Sequence, residues 1–376
     1  MRVALVNGIC ARHDAISNAI VAEYECLLDK FGPNGAKFYG YALDYPDWNN
    51  KIVESSAQIL ADDYFLRADL VIYHFGIYYE LFNALLVGNG RAKQLACYHN
   101  VTPKELLGKH HHEVIERSLK QQYNLFFADH IYCDSGFNRD CLVALGLAPQ
   151  KLSVMGLPVD AQVGDRSEVV LSQKLRLLFI GRVVPSKGVL ELVQALQQCL
   201  EWGQSNFELK IVGNLRFSDD KYVDEVRVAL SSQPELACNV ELVGEVDEPT
   251  KKMLLSWADV FVLPTHHEGF CVPIVEALAA GCYIIAYNNT NVPNVTGELG
   301  TLVNTGDISA LAVAISEMCD EWRKSFSIGK APVFSSGAKS WSRAEFITAA
   351  KAWAKQFSPF EHRRKFLKVV EEFSRN

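Results

Sequence analysis

The strongest constraint on this chain is a rhythm. Short runs rich in Val, Ile and Leu alternate with longer amphipathic stretches along most of its length. Runs that are apolar on both faces predict strands buried in parallel sheets, and parallel strands need the intervening helices as crossovers. In the first half the predicted strands are 2–6, 36–41, 69–73, 94–98, 130–133 and 152–155. In the second half they are 175–180, 208–212, 240–243, 260–263, 283–286 and 301–303. Helical periodicity is plainest over 190–200 and 311–318.

The rhythm restarts midway. Strand 2–6 runs into Asn7-Gly8, and strand 175–180 runs into Gly181-Arg182. Each looks like the opening strand of a doubly wound unit that ends in a glycine turn. The stretch 161–174 is polar and aperiodic, as an interdomain linker would be. The expected architecture is therefore α/β, with two facing Rossmann-like domains at 1–165 and 170–340 and a ligand cleft between them. A helical C-terminal stretch, 341–376, is expected to cross back to the first domain. At 376 residues the chain is long enough for two sizeable cores.

Charge and cysteine content exclude several classes. A net charge of -7 supplies no basic excess for nucleic acid. The ten cysteines are scattered without a CxxC pair, so they are expected to be reduced and mostly buried. The start of the chain lacks the length and cleavage site of a signal peptide. The longest run of apolar residues and Gly, 277–287, has eleven residues, against about 20 needed to span a bilayer. A cytoplasmic location follows as an expectation. Arg363-Arg364-Lys365, interleaved with Phe360, Phe366 and Phe373, raises weak peripheral contact at the inner membrane face, although a charged surface helix explains it more simply.

Two segments carry chemistry. In the first, Gly181-Arg182-Val183-Val184-Pro185-Ser186-Lys187-Gly188 follows a strand and places two cations five residues apart. Arg offers a planar fork for phosphate oxygens and Lys a point charge, so together they suit a diphosphate. Solvated surface cations are the plainer alternative. In the second, His266-His267-Glu268-Gly269-Phe270-Cys271-Val272-Pro273 enters a helix that Gly281 closes. Amides near Gly269–Val272 would face an anion at the helix N-terminus. Glu268 precedes the helix, and Glu276 lies one turn inside it among apolar neighbours. There a carboxylate needs a partner, and a structural ion pair would satisfy it equally well.

Together, Gly-Arg-x4-Lys-Gly and, about 80 residues later, Glu-x7-Glu resemble the retaining glycosyltransferases of family 4, with the GT-B fold. The likeness is strongest over 175–303, which includes Val243-Gly244-Glu245-Val246 and Leu263-Pro264-Thr265. Tyr98-His99-Asn100 and Asp134-Ser135-Gly136 extend it into the first half. The loop after the first strand departs from the family, with Asn7-Gly8-Ile9-Cys10-Ala11 where many members carry paired glycines.

The resemblance implies transfer of a sugar from a GDP- or UDP-linked donor to a glycan or lipid-linked saccharide, for polysaccharide biosynthesis, with no cofactor. Arg182 and Lys187 would hold the diphosphate, supported by Gly269, Phe270 and Cys271. Glu268 would meet the transferred sugar, Glu276 the ribose and Val246 the base. His99 would stand beside the donor sugar from the first domain, with Gly8 on the diphosphate side. His74 is an acceptor-side candidate turned toward the cleft. No Asp-x-Asp triplet is present, so a metal-independent same-face substitution is expected. Lys109-His110-His111-His112-Glu113 reads as a solvated helix start, since consecutive histidines diverge around a helix. The alternatives are a GT-B nucleotide-sugar 2-epimerase, a catalytically silent sugar-nucleotide binding module and a dinucleotide-dependent dehydrogenase. The last lacks G-x-G-x-x-G: after Gly88-Asn89-Gly90 comes Lys93 where a glycine should stand.

Overall fold

The computed structural model describes residues 1–12, 14–160, 172–214, 220–337 and 339–374. Most of the expected linker, up to residue 171, lies outside the described residues. Contacts divide the chain into two units, Met1–Val159 with Phe357–Asn376, and Asp160–Gln356.

In the first unit seven strands form one sheet. Across it they run Asn50–Ile52, Ala36–Gly40, Val3–Val6, Leu70–Phe75, Lys93–Tyr98, His130–Cys133 and Leu152–Val154, each parallel to its neighbour. In the second unit six strands run Val240–Gly244, Phe207–Val212, Leu175–Ile180, Val260–Leu263, Tyr283–Asn288 and Gly300–Asn304, again all parallel. Both sheets begin at a central strand, wind outward to one side, then return and wind to the other. The reversal leaves a switch point beside the opening strand, at the carboxyl ends where α/β folds bind ligands.

All twelve strands expected from the apolar runs are present. The edge strand Asn50–Ile52 was not expected, nor were the two-residue ladder of Ile9–Cys10 with Ala42–Leu43 and the hairpin of Val333–Ser336 with Lys339–Ser342. They are short or polar, and their pairing comes from neighbours rather than from their own apolar pattern.

The first sheet is buried on both faces. Val6, Val71, Tyr73, Phe75 and Tyr98 enter one core, while Val3, Leu5, Leu70, Ile72 and Cys97 enter the other. Alternation along each strand puts adjacent residues on opposite faces. The second core is closed by helix Ala15–Phe31, whose end Gly32 caps in a positive-φ conformation, and by helix Pro359–Ser374.

The C-terminal stretch thus differs from expectation. It breaks into two helices. Arg343–Ala354 begins at a Ser342–Glu345 capping box and packs on helix Val272–Ala279 in the second unit. Pro359–Ser374 belongs to the first unit. In that last helix Arg363 pairs with Asp29 at 2.7 Å and Arg364 with Glu361 at 2.8 Å. Phe366 is fully buried, so the basic cluster and its aromatics do not form one outward surface. The strip Lys109–His111 is an exposed turn ahead of helix His112–Gln121, as expected.

Phe366 is the principal aromatic that this helix sets into the first unit's core. Phe366→Ala should destabilise that unit by about 3–5 kcal/mol in urea unfolding, the usual cost of deleting a buried Phe. A loss below about 1 kcal/mol would show that the last helix does not complete that core.

Candidate functional site

In the second unit the two chemistry-bearing loops meet at the switch point. One follows strand Leu175–Ile180 and the other follows its neighbour Val260–Leu263. The first loop turns through Pro185–Lys187 into helix Val189–Glu201. Gly188 has φ 66°, and a Cβ there would stand 2.1 Å from the Pro264 carbonyl oxygen. Only glycine allows that approach, which explains the Lys-Gly ending of the motif.

The close approach lets the loops bond. His266 N–H donates to the Ser186 carbonyl at 2.8 Å, and the Thr265 hydroxyl donates to the same oxygen at 3.3 Å. Lys187 Nζ then reaches Glu268 Oε1 at 2.5 Å, with both side chains largely buried. Arg182 is exposed and makes no ion pair among the described residues. The structure therefore brings Lys187 and Glu268 into contact and leaves the Arg182 guanidinium unengaged on the adjoining strand end.

Glu268 is held from several sides. Its backbone N–H donates to Thr290 Oγ1 at 3.0 Å. Thr290 donates in turn to Asn289 Oδ1, Asn289 Nδ2 to the Thr265 carbonyl, and Asn291 Nδ2 to the Phe270 carbonyl. Sequence reasoning missed this Asn289–Asn291 brace. Its signal was present as a polar Asn-Asn-Thr-Asn turn directly after a strand.

Cys271 adopts φ 82°, a left-handed conformation unusual outside glycine, at the cap of helix Val272–Ala279. Burial, and then Glu268, push its thiol well above the ordinary range, so it stays protonated and unreactive. The helix ends in paired bonds from Gly281 N–H to Leu278 and Cys282 N–H to Ala277, a Schellman closure.

Glu276 finds the partner it needed in Lys251, at 2.8 Å, and Lys251 also meets Glu248 at 2.9 Å. Burial lifts the Glu276 carboxyl and Lys251 opposes that lift. The Lys251 ammonium is itself held above its usual range, because Glu276 and Glu248 outweigh its burial. Val246 follows strand Val240–Gly244 and is part-exposed. His266 is tied to Glu191 at 2.7 Å, which raises its affinity for a proton, and Tyr287 donates to the same carboxylate.

In the first unit, Gly8 follows the opening strand, and its carbonyl accepts from Tyr41 N–H at 2.7 Å. His99 follows strand Lys93–Tyr98, but its ring lies inside the protein, with a side chain 2% exposed. Nδ1 bonds Asp134 at 2.7 Å, and Nε2 bonds His74 Nδ1 at 3.0 Å. His74 Nε2 bonds Glu23 at 3.1 Å, and Tyr132 donates to the same carboxylate oxygen. His74 is thus within strand Leu70–Phe75, with its side chain wholly buried beneath helix Ala15–Phe31. The sequence reading had it after the strand and turned toward a cleft; alternation along the strand directs it into the core instead.

Three hydrogen bonds in series thus join Asp134, His99, His74 and Glu23, and the Asp134 carboxylate beside Nδ1 favours a charged His99 ring. Burial opposes that charge at His99, but Asp134 outweighs it and raises the proton affinity. Burial likewise opposes ionisation of Glu23, and His74 and His362 outweigh it and hold the carboxyl below its usual range. His74, Cys97 and His99 offer ligand atoms within 4.8 Å of one another. Both His99 ring nitrogens are already engaged, Nδ1 by Asp134 and Nε2 by His74, so a metal there would have to displace one of these bonds.

Solved structures share this fold. HepE of Anabaena, in complex with UDP-glucose, aligns over 99% of this chain and 100% of that one, with a TM-score of 0.72 at 16% identity. A glycosyltransferase from Rickettsia africae ESF-5 aligns over 100% and 99%, with a TM-score of 0.73 at 16% identity. The architecture is GT-B, two Rossmann-like units, as expected from the sequence.

Residues 174–321 match the family described as Glycosyl transferases group 1. Over 159 residues the chain is 30% identical to the capsular polysaccharide biosynthesis glycosyltransferase CapM of Staphylococcus aureus, covering 42% of this chain and 40% of that one. Over 149 residues it is 28% identical to O-antigen chain mannosyltransferase B of Escherichia coli, covering 39% and 38%. The chain thus spans about two fifths of these relatives' length, and the family match over 174–321 contains Lys187, Glu268 and Glu276.

The His99–Asp134 pair sets a pH dependence. Its proton is held more tightly in the folded chain than at the ordinary 6.5, so the pair's contribution is full below about 6.5 and fades as pH rises through the higher folded value. Urea stability of the wild type should fall across that window, and Asp134→Asn should flatten the fall. An equal slope in both proteins would remove Asp134 as its source.

Proposed function

We propose that this chain is a retaining glycosyltransferase. It moves a sugar from a GDP- or UDP-linked donor to a glycan or lipid-linked saccharide. The observation that carries this reading is the Lys187–Glu268 contact across the switch point, with Arg182 unengaged beside it. The loops after two adjacent strands carry an arginine fork, an ammonium and a helix N-terminus, the groups that suit a diphosphate. The matching region's likeness to sugar-transferring relatives, and a structural neighbour solved with UDP-glucose, support the same donor class.

In this reading Arg182 and Lys187 bind the diphosphate and stabilise the charge that grows on it as the sugar–phosphate bond breaks. Without a donor, Glu268 neutralises Lys187. With one, the phosphates take that cation and the carboxylate turns to the sugar hydroxyls, favouring positive character at the anomeric carbon. The acceptor oxygen forms its bond on the face the phosphate leaves, and the leaving phosphate oxygen takes the acceptor proton. The anomeric configuration is thereby retained.

Glu276, held by Lys251, accepts from the ribose hydroxyls, and the turn at Val246 borders the base. His99 keeps a place as a positioning group within the buried row, since both its ring nitrogens are engaged within the protein. Metal independence belongs to the same proposal, because these cations and the helix end meet the diphosphate charge. Cytoplasmic work on surface polysaccharide is the setting it implies.

The test joins binding to turnover. In a panel of UDP, GDP and ADP sugars, one donor should raise the melting temperature by linkage. With that donor, Glu268→Gln and Arg182→Ala should each lower kcat about 100-fold or more while leaving the unliganded melting temperature within a few degrees. Glu276→Gln should mainly raise the donor KM, by about tenfold. Donor consumption without any acceptor would point to epimerisation, and stabilisation without turnover to a binding module. Near-wild-type turnover in both kcat variants would remove the site assignment.

A further inference from the structure

The loop that carries Glu268 joins a strand to a helix, and the second unit holds it from two sides. On one side His266 N–H donates to the Ser186 carbonyl. On the other stands the turn 289–291, which follows strand Tyr283–Asn288, the parallel neighbour of Val260–Leu263. That turn meets three backbone groups of the loop in order. Asn289 Nδ2 donates to the Thr265 carbonyl at 2.7 Å, Thr290 Oγ1 accepts from Glu268 N–H at 3.0 Å, and Asn291 Nδ2 donates to the Phe270 carbonyl at 2.8 Å.

The backbone of Thr290 is strained. Its φ is 44°, in the left-handed region that a β-branched residue rarely enters. Such a conformation persists only where the surroundings over-determine it. Here they do. The Thr290 hydroxyl donates to Asn289 Oδ1 at 2.9 Å while accepting from Glu268, and Asn289 is tied further to Thr305 Oγ1 at 2.9 Å. Asn291 is buried and leads into helix Val292–Thr296. Glycine would take this φ without steric cost, but it carries no hydroxyl, and the Glu268 amide would lose its acceptor.

We infer that Thr290 is a positioning residue for sugar transfer: its hydroxyl fixes the backbone of Glu268, and through it the place of the Glu268 carboxylate. The inference rests on the transfer reading, in which that carboxylate leaves Lys187 for the sugar when a donor binds. A side chain that must change partners keeps its aim only if its own backbone stays still. A misplacement of about 1 Å at such a group costs about 100-fold in rate. Donor affinity lies with Arg182, Lys187 and Glu276, none of which Thr290 bonds among the described residues. The effect of Thr290 therefore falls on kcat and not on the donor KM.

The test compares two variants that both lose the hydroxyl but differ in strain. Thr290→Val keeps the branched side chain, and Thr290→Gly relieves the backbone. With the UDP, GDP or ADP sugar that stabilises the wild type, each should lower kcat about 10- to 100-fold and leave the donor KM within about twofold. Thr290→Ser, which keeps the hydroxyl, should restore kcat to within about threefold of the wild type. On a Glu268→Gln background, Thr290→Val should cost less than about twofold more, because the carboxylate it positions is already gone. An equal loss on both backgrounds would overturn the inference, since a general structural role acts whether or not the carboxylate is present. Wild-type kcat in Thr290→Gly, or a rise in donor KM as large as the fall in kcat, would do so too. Failure of the transfer reading looks different: a wild type that consumes no sugar donor, or a fully active Glu268→Gln, removes the site itself and the inference with it.

Discussion

A parallel sheet has no face to spare for water, and much of this structure follows from that. Helices must cover both sides of each sheet, so the central strands are largely apolar and much of the polar chemistry collects at their ends. In the second unit this sends Arg182, Lys187 and Glu268 to the carboxyl edge, on loops from adjacent strands. The reversal of winding beside the central strand keeps those loops from crossing, and a glycine against the Pro264 carbonyl lets them close to bonding distance. The cation–carboxylate contact is thus a product of topology and of one missing Cβ.

The same two-sided burial explains the row from Glu23 to Asp134. Four ionisable side chains lie under helices that must be there to cover the sheet. Two carboxylates stand at the ends with two rings between them, and each is hydrogen-bonded to the next, which is what a dry interior requires of buried polar groups. Tyr132 and His362 add to it from a neighbouring strand and from the last helix.

Much of the fold was legible because apolar runs and glycine turns encode buried strands locally. Pairing lent by a neighbour was not legible. Lys339–Ser342 is polar and becomes a strand only opposite Val333–Ser336. The site was legible where one segment carried its own signal, as with Glu268 before a Pro-started helix. It was illegible where partners are distant in sequence: Lys251 for Glu276, Thr290 for the Glu268 amide, and Glu23 for His74. The misplacement of His74 has a simple cause. The strand runs two residues beyond the expected 69–73, to Phe75, and alternation then turns the ring into the core.

The division of the C-terminal stretch bears on how the chain is made. The second unit is continuous, Asp160–Gln356, and holds all its residues before Phe357–Asn376 is synthesised. The first unit begins earlier but finishes later. Until Phe357–Asn376 emerges, its sheet lacks Phe366 and Val370 on one face, and Glu23 lacks His362. Domains that fold as they leave the ribosome usually finish in chain order. Here the order is reversed, and of the two units the one that begins first is the later to close its core.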